Sequence, residues 1–168
     1  MENCPGMKAV HFGIRNRQSP ALDGRFFDPD MPADWRVAFL LNEHDALWVD
    51  AEADDAGRVR EELDDAPTPT FVVVDRAQWT ADWDRLAAEH GHTILCHAPN
   101  TPLWRPDSDT SGARVGLVPA SDDPARLKVW LETFLAQAPG PAALFVDGDP
   151  PSTATVDRLK MLADLLGL

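Results

Sequence analysis

Four short apolar runs in this chain each end on a polar residue and are followed by loop or helix-like sequence. They are Ala46-Leu47-Trp48-Val49-Asp50, Phe71-Val72-Val73-Val74-Asp75, Thr93-Ile94-Leu95-Cys96-His97 and Ala143-Leu144-Phe145-Val146-Asp147. Continuous rather than alternating apolar runs suit strands covered on both faces, which is the habit of parallel sheets. Two more strands are expected over Ala9–Ile14 and Ala113–Val118. Parallel sheets form ligand sites at the carboxyl ends of their strands. The runs therefore place Asp50, Asp75, His97 and Asp147 where chemistry would be done.

Between the strands lie helix signals. Pro32 suits a first helical turn, and Trp35, Ala38, Phe39 and Asn42 mark one face of a helix ending near His44. An acidic helix is expected over Asp55–Asp65, stopped by Pro67 and Pro69. Thr80 and Gly91 bracket a third, as N-cap and C-terminal glycine. Asp123-Pro124 opens the clearest helix, with Leu127, Trp130, Leu131, Phe134 and Leu135 on one stripe. Ser152 opens the last, with Val156, Leu159, Ala163 and Leu166 toward the core and Gly167 closing it. Residues 99–112 form a loop longer than ordinary crossovers, the kind that is functional or disordered. The expectation is one α/β domain spanning 1–168: a parallel sheet of about six strands with flanking helices. Its expected shape is a shortened TIM-barrel-like one, with an open flavodoxin-like three-layer sheet as the alternative.

Charge narrows the partners. The chain carries 28 acidic against 15 basic residues, a formal charge of −13. Such a surface repels phosphate backbones and anionic lipid, and no compensating basic patch is present, so neither nucleic acid nor membrane is an expected partner. Cys4 and Cys96 form no C-x-x-C pair, so no zinc or redox motif is indicated. No apolar run reaches a membrane span, and the amino terminus lacks a secretory pattern, so a cytoplasmic location is expected. Phosphate-loop, dinucleotide, nucleophile-elbow and zincin motifs are missing from the sequence.

The order of several segments resembles the YecE-like family, a TIM-barrel-like family of unknown function. Phe26-Phe27-Asp28-Pro29, then Trp35, Phe39-Leu40, Asn42-Glu43 and Val49-Asp50 are similar to that family's Phe-Tyr-Pro turn, helix and strand ending Glu-Ile-Asn. Val73-Val74-Asp75-Arg76-Ala77-Gln78-Trp79 is similar to its Val-Glu-Phe-Arg-His…Ser-Trp strand end, and Glu89-His90-Gly91 to its Glu-His-Gly. The terminal strand and Asp149 complete the series, with two of the family's strands lacking between the second and third counted here. The family's Gly-Trp is Gly13-Ile14 in this chain, and its Glu-Phe-Arg-His is Val74-Asp75-Arg76-Ala77. The resemblance implies a shortened, divergent member, and those departures imply a non-catalytic or degenerate binding or scaffold protein.

The alternative is a metal-assisted small-molecule hydrolase or lyase. Asp50, Asp75, His97 and Asp147 are candidate ligands for a divalent ion such as Mg²⁺, Mn²⁺ or Zn²⁺, with His97 and Asp75 as catalytic residues. The competing reading makes the same aspartates helix caps and turn formers. Arg15, Asn16, Arg76 and Arg105 could hold a small anionic ligand, with Trp104 as lid or contact. Equally, the arginines, Arg17 included, could neutralise the acidic rim, and Trp104 could plug the open end of a shortened barrel. His44, His90 and His92 sit at helix ends, where positive charge is favoured. Removing two units from a barrel leaves strand edges, so a homodimer that covers them is expected.

Overall fold

The computed structural model describes residues 10–66, 68–108 and 110–168. Cys4, Ala9 and Pro67 lie outside them. Strand β1 spans Val10–Ile14, helix α1 Ala33–Glu43, β2 Ala46–Val49, α2 Ala56–Asp64, β3 Phe71–Asp75 and α3 Ala81–His90. There follow β4 at Thr93–His97, β5 at Val115–Val118, α4 at Pro124–Gln137, β6 at Ala142–Val146 and α5 at Thr153–Leu166. The expected elements are all present, each within about two residues of its predicted ends.

The strands form two parallel three-stranded sheets, ordered β1-β6-β5 and β2-β3-β4. This is an α/β fold whose sheets are open rather than a hydrogen-bonded closed barrel, which agrees with the open alternative and not with a closed shortened barrel. The two sheets meet where β1 passes β2. There the Phe12 amide donates to the side chain of Asp45 at 2.9 Å instead of to a strand carbonyl. The approach is so close that a Cβ on Gly13 would lie 2.2 Å from the Ala46 carbonyl oxygen. A glycine is obligatory at that seam for want of space, not for want of a special backbone angle.

The strand faces alternate strictly. Phe12, Ile14, Leu47, Val49, Val72, Val74, Leu144 and Val146 pack with the buried residues of all five helices in one large apolar cluster. Their neighbours Ala46, Trp48, Phe71, Val73, Val115, Leu117, Ala143 and Phe145 form a second cluster made of strand residues from both sheets. Trp48 and Phe145 meet edge-to-face across the sheets, with ring centroids 5.2 Å apart. Both faces are therefore buried as the apolar runs predict, one under helices and the other by the sheets' own side chains.

Three helix details differ from expectation. In α1 the buried stripe is Val37, Leu40 and Leu41, while Trp35 is 65% exposed. The helix carries two apolar stripes, and the sheet takes the more aliphatic one. Phe39, on the other stripe, packs instead on Phe26 and Phe27 of the preceding loop. Thr80 stands at the N-cap of α3 without a capping side-chain bond, and Leu166 at the end of α5 is exposed. Asp123 and Ser152 cap as expected, accepting from Ala125 and Arg126 and from Thr155 respectively. No helix among the described residues is long and apolar enough to cross a membrane.

Candidate functional site

The alternation that builds the second cluster also builds the site. Two residues beyond the inward-facing Gly13, Trp48, Val73, Leu95 and Phe145 stand Arg15, Asp50, Asp75, His97 and Asp147. The period of two carries the inward phase of each strand onto the rim. These five residues line one cleft of about 660 Å³ at the carboxyl ends of the strands. Asn16 and Arg105 line it too, over Trp48, Leu103 and Leu117.

Asp75 is its best-anchored carboxylate. One oxygen accepts from Trp48 Nε1 at 3.2 Å and lies 3.1 Å from His97 Nδ1. The other accepts from the Ala51 amide at 2.8 Å. Asp75 and His97 are register partners on adjacent strands, and the indole of Trp48 meets the imidazole edge-to-face at 5.1 Å. With Nδ1 donating to Asp75, the neutral ring carries its lone pair on Nε2. The turn after β2 is fixed by Gln78, whose side-chain amide donates to the carbonyls of Ala51 and Ala53 at 2.8 and 3.0 Å.

The arginines are paired. Arg15 forms an ion pair with Asp50 and stacks over Trp48, 4.2 Å from the ring centroid. Burial pulls the Arg15 guanidinium below its ordinary value, and the charges of Asp75 and Asp147 push back. Arg17 is not on the open rim. It is buried, donating to the Trp48 carbonyl at 2.9 Å and bidentately to Asp55 at 2.6 and 2.7 Å. Burial raises the Asp55 carboxyl, but the hydrogen bonds and charge of Arg17 outweigh it, and the net direction is down. Arg105 stands 3.7 Å from Asp147.

The metal expectation meets an obstacle. Among the described residues no three His, Cys, Asp or Glu side chains are gathered closely enough to hold a metal ion. Asp50, Asp75, His97 and Asp147 share a cleft, but each carboxylate is already turned to its own partner: Arg15, the Trp48–Ala51–His97 set, and Arg105. They do not make one coordination sphere. Five carboxylates and two guanidiniums, both paired, line the cleft, so its lining carries net negative charge.

Two expected contacts lie elsewhere. Arg76 is exposed in the short turn after β3 and does not line the cleft. Trp104 is buried, bridges Gly116 at the outer edge of β5 and packs on Phe134 at 5.4 Å. Its ring fills the space between β5 and α4 rather than the end of a barrel, and its neighbours Leu103 and Arg105 line the cleft. Trp48 looks in the sequence like any apolar strand residue, and the one signal of its role is its place two residues before Asp50, in the same inward phase.

No family model matches the chain, and neither a curated protein nor a solved structure matches it.

Proposed function

We propose that this protein binds a small polar or cationic molecule in the cleft at the carboxyl ends of its strands. One observation carries the reading: a carboxylate holding three donors at once, Trp48, Ala51 and His97, on the floor of an open cleft. Such pre-ordering costs conformational freedom and is the usual arrangement of a recognition site. Non-catalytic binding fits a shortened, divergent relative of the YecE-like family, a kinship supported by the order of the segments along the chain. A cytoplasmic setting is part of the same proposal. A homodimer belongs to the same proposal, since β4 is half-exposed along its whole length with no strand beyond it among the described residues.

A second reading has its own support. His97 oriented by Asp75 is the pairing that makes an imidazole a general base, taking a ligand proton on Nε2 while Asp75 steadies the resulting cation. It requires no metal.

The test uses the indole proton of Trp48 as reporter. Fragments spanning small cations, polyols and carboxylates are added to the full chain, and its Nε1–H resonance is followed. The expected result is displacement by cationic or neutral fragments, lost in Asp75→Asn. Fragments that perturb other resonances and never Trp48 or His97 would overturn the binding reading.

A further inference from the structure

Beside the cleft, behind the wall formed by Arg105 and Asp147, lies a second cavity of about 530 Å³. Pro106, Pro119 and Trp130 give it an apolar lining, and Leu117 and Gly148 belong to both spaces. Trp130 lies on the apolar stripe of α4, yet its indole is only partly buried, unlike the fully buried Leu127, Leu131 and Phe134. The wall between the spaces is a loose ion pair. At 3.7 Å, with both side chains about half exposed, the Arg105–Asp147 contact is longer than a direct hydrogen bond. Asp147 Oδ1 accepts from the Gly148 amide at 3.0 Å, and Oδ2, held only loosely by Arg105, has capacity for a further donor. Asp107 adds another carboxylate on the apolar side. A cation arriving here meets a net negative field and, next to it, a ring-sized apolar recess.

We propose that cleft and recess form one two-part site for an amine bearing an apolar ring, the ammonium on Asp147 and the ring against Trp130, Pro106 and Pro119. The inference rests on the reading that the cleft binds a small molecule. It adds the ligand's chemical class and its orientation. Charge decides between the two ends of the Arg105–Asp147 pair: carboxylates outnumber guanidiniums across both spaces, so the ligand's charge is positive.

The test titrates the full chain with 2-phenylethylamine, ethylamine and 3-phenylpropanoate near neutral pH, by calorimetry and by the indole resonances of Trp48 and Trp130. The amine with the ring is expected to bind about tenfold or more tighter than ethylamine, the worth of burying one ring. It should also outbind the carboxylate and shift the Trp130 Nε1–H signal. Trp130→Ala should erase the preference for the ring, and Asp147→Asn the preference for the amine. The wild-type Trp130 shift needs no variant and decides the matter even if Trp130→Ala does not fold. Tighter binding of 3-phenylpropanoate would make Arg105 the anchor and overturn the proposal. So would 2-phenylethylamine that shifts Trp48 and not Trp130, or that fails to saturate by roughly 10 mM. In the Trp48-only case the cleft reading survives and the two-part site does not.

Discussion

His44 shows how little a residue's type says about its protonation. At the end of α1 a histidine is expected to carry positive charge onto the helix dipole. Instead it is buried, its ring is stacked on Phe26, and neither nitrogen has a hydrogen-bond partner among the described residues. Burial, aided by the charge of Lys160 and opposed by Asp45, pushes it down to about 4. His92 is also pushed down by burial, but it is satisfied: Nδ1 accepts from the Thr70 amide and Nε2 faces the Leu63 carbonyl. The consequence is a pH dependence of known sign. A histidine lowered on folding leaves stability intact above its unfolded value near 6.5, lost as pH falls toward the folded value. Denaturant titrations at about pH 7.5 and about pH 5 should differ by about 2 kcal/mol from His44 alone. His44→Phe should remove most of that difference. The remainder belongs to His92; the lowered carboxyl of Asp55 acts in the same direction but only below the ordinary carboxylate range, outside this interval.

Among the elements, the segment joining β4 to β5 does the most with the least regular structure. Trp104 donates its amide to the Val115 carbonyl and accepts from the Leu117 amide, each at 2.9 Å, extending the sheet by one bridge. Its ring occupies the space left by Gly116, where a Cβ would meet Leu144, Phe134 and Trp104 within 3.2 Å. Trp104→Ala is expected to cost about 3–5 kcal/mol, the usual loss for a buried aromatic, read from the denaturant midpoint. Because Leu103 and Arg105 flank it, the same change should weaken any cleft ligand beyond what global destabilisation explains. A variant with unaltered stability would mean that the ring does not support the β5–α4 core.

At the scale of the whole molecule, the two edges of the sheet system are treated differently. The β5 edge is covered by the Trp104 bridge, whereas β4 has no strand on its outer side among the described residues. An uncovered parallel edge is an association hazard unless another surface covers it. Light scattering on the untagged chain should return about twice the 18.5 kDa chain mass. A monomer at working concentrations would leave the half-exposed β4 to be explained by its own polar termini.

The amino-acid sequence by itself determined the elements. Apolar runs, prolines, Asp123-Pro124, Ser152 and the terminal glycines are local signals, and local signals place strand and helix ends. They also placed Asp50, Asp75, His97 and Asp147 on one rim, because a polar residue closing a buried strand has nowhere else to be. Only the tertiary structure decided which faces turn inward, that β1 passes β2 on a glycine, and that Asp75 stands beside His97. Those outcomes depend on register and on the crossing of chains far apart in sequence. The same holds for the charges: Arg15, Arg17 and Arg105 found Asp50, Asp55 and Asp147 across 35, 38 and 42 positions of chain. Ion pairs of that reach have no periodicity to betray them, and they decide which carboxylates of the acidic cleft are paired.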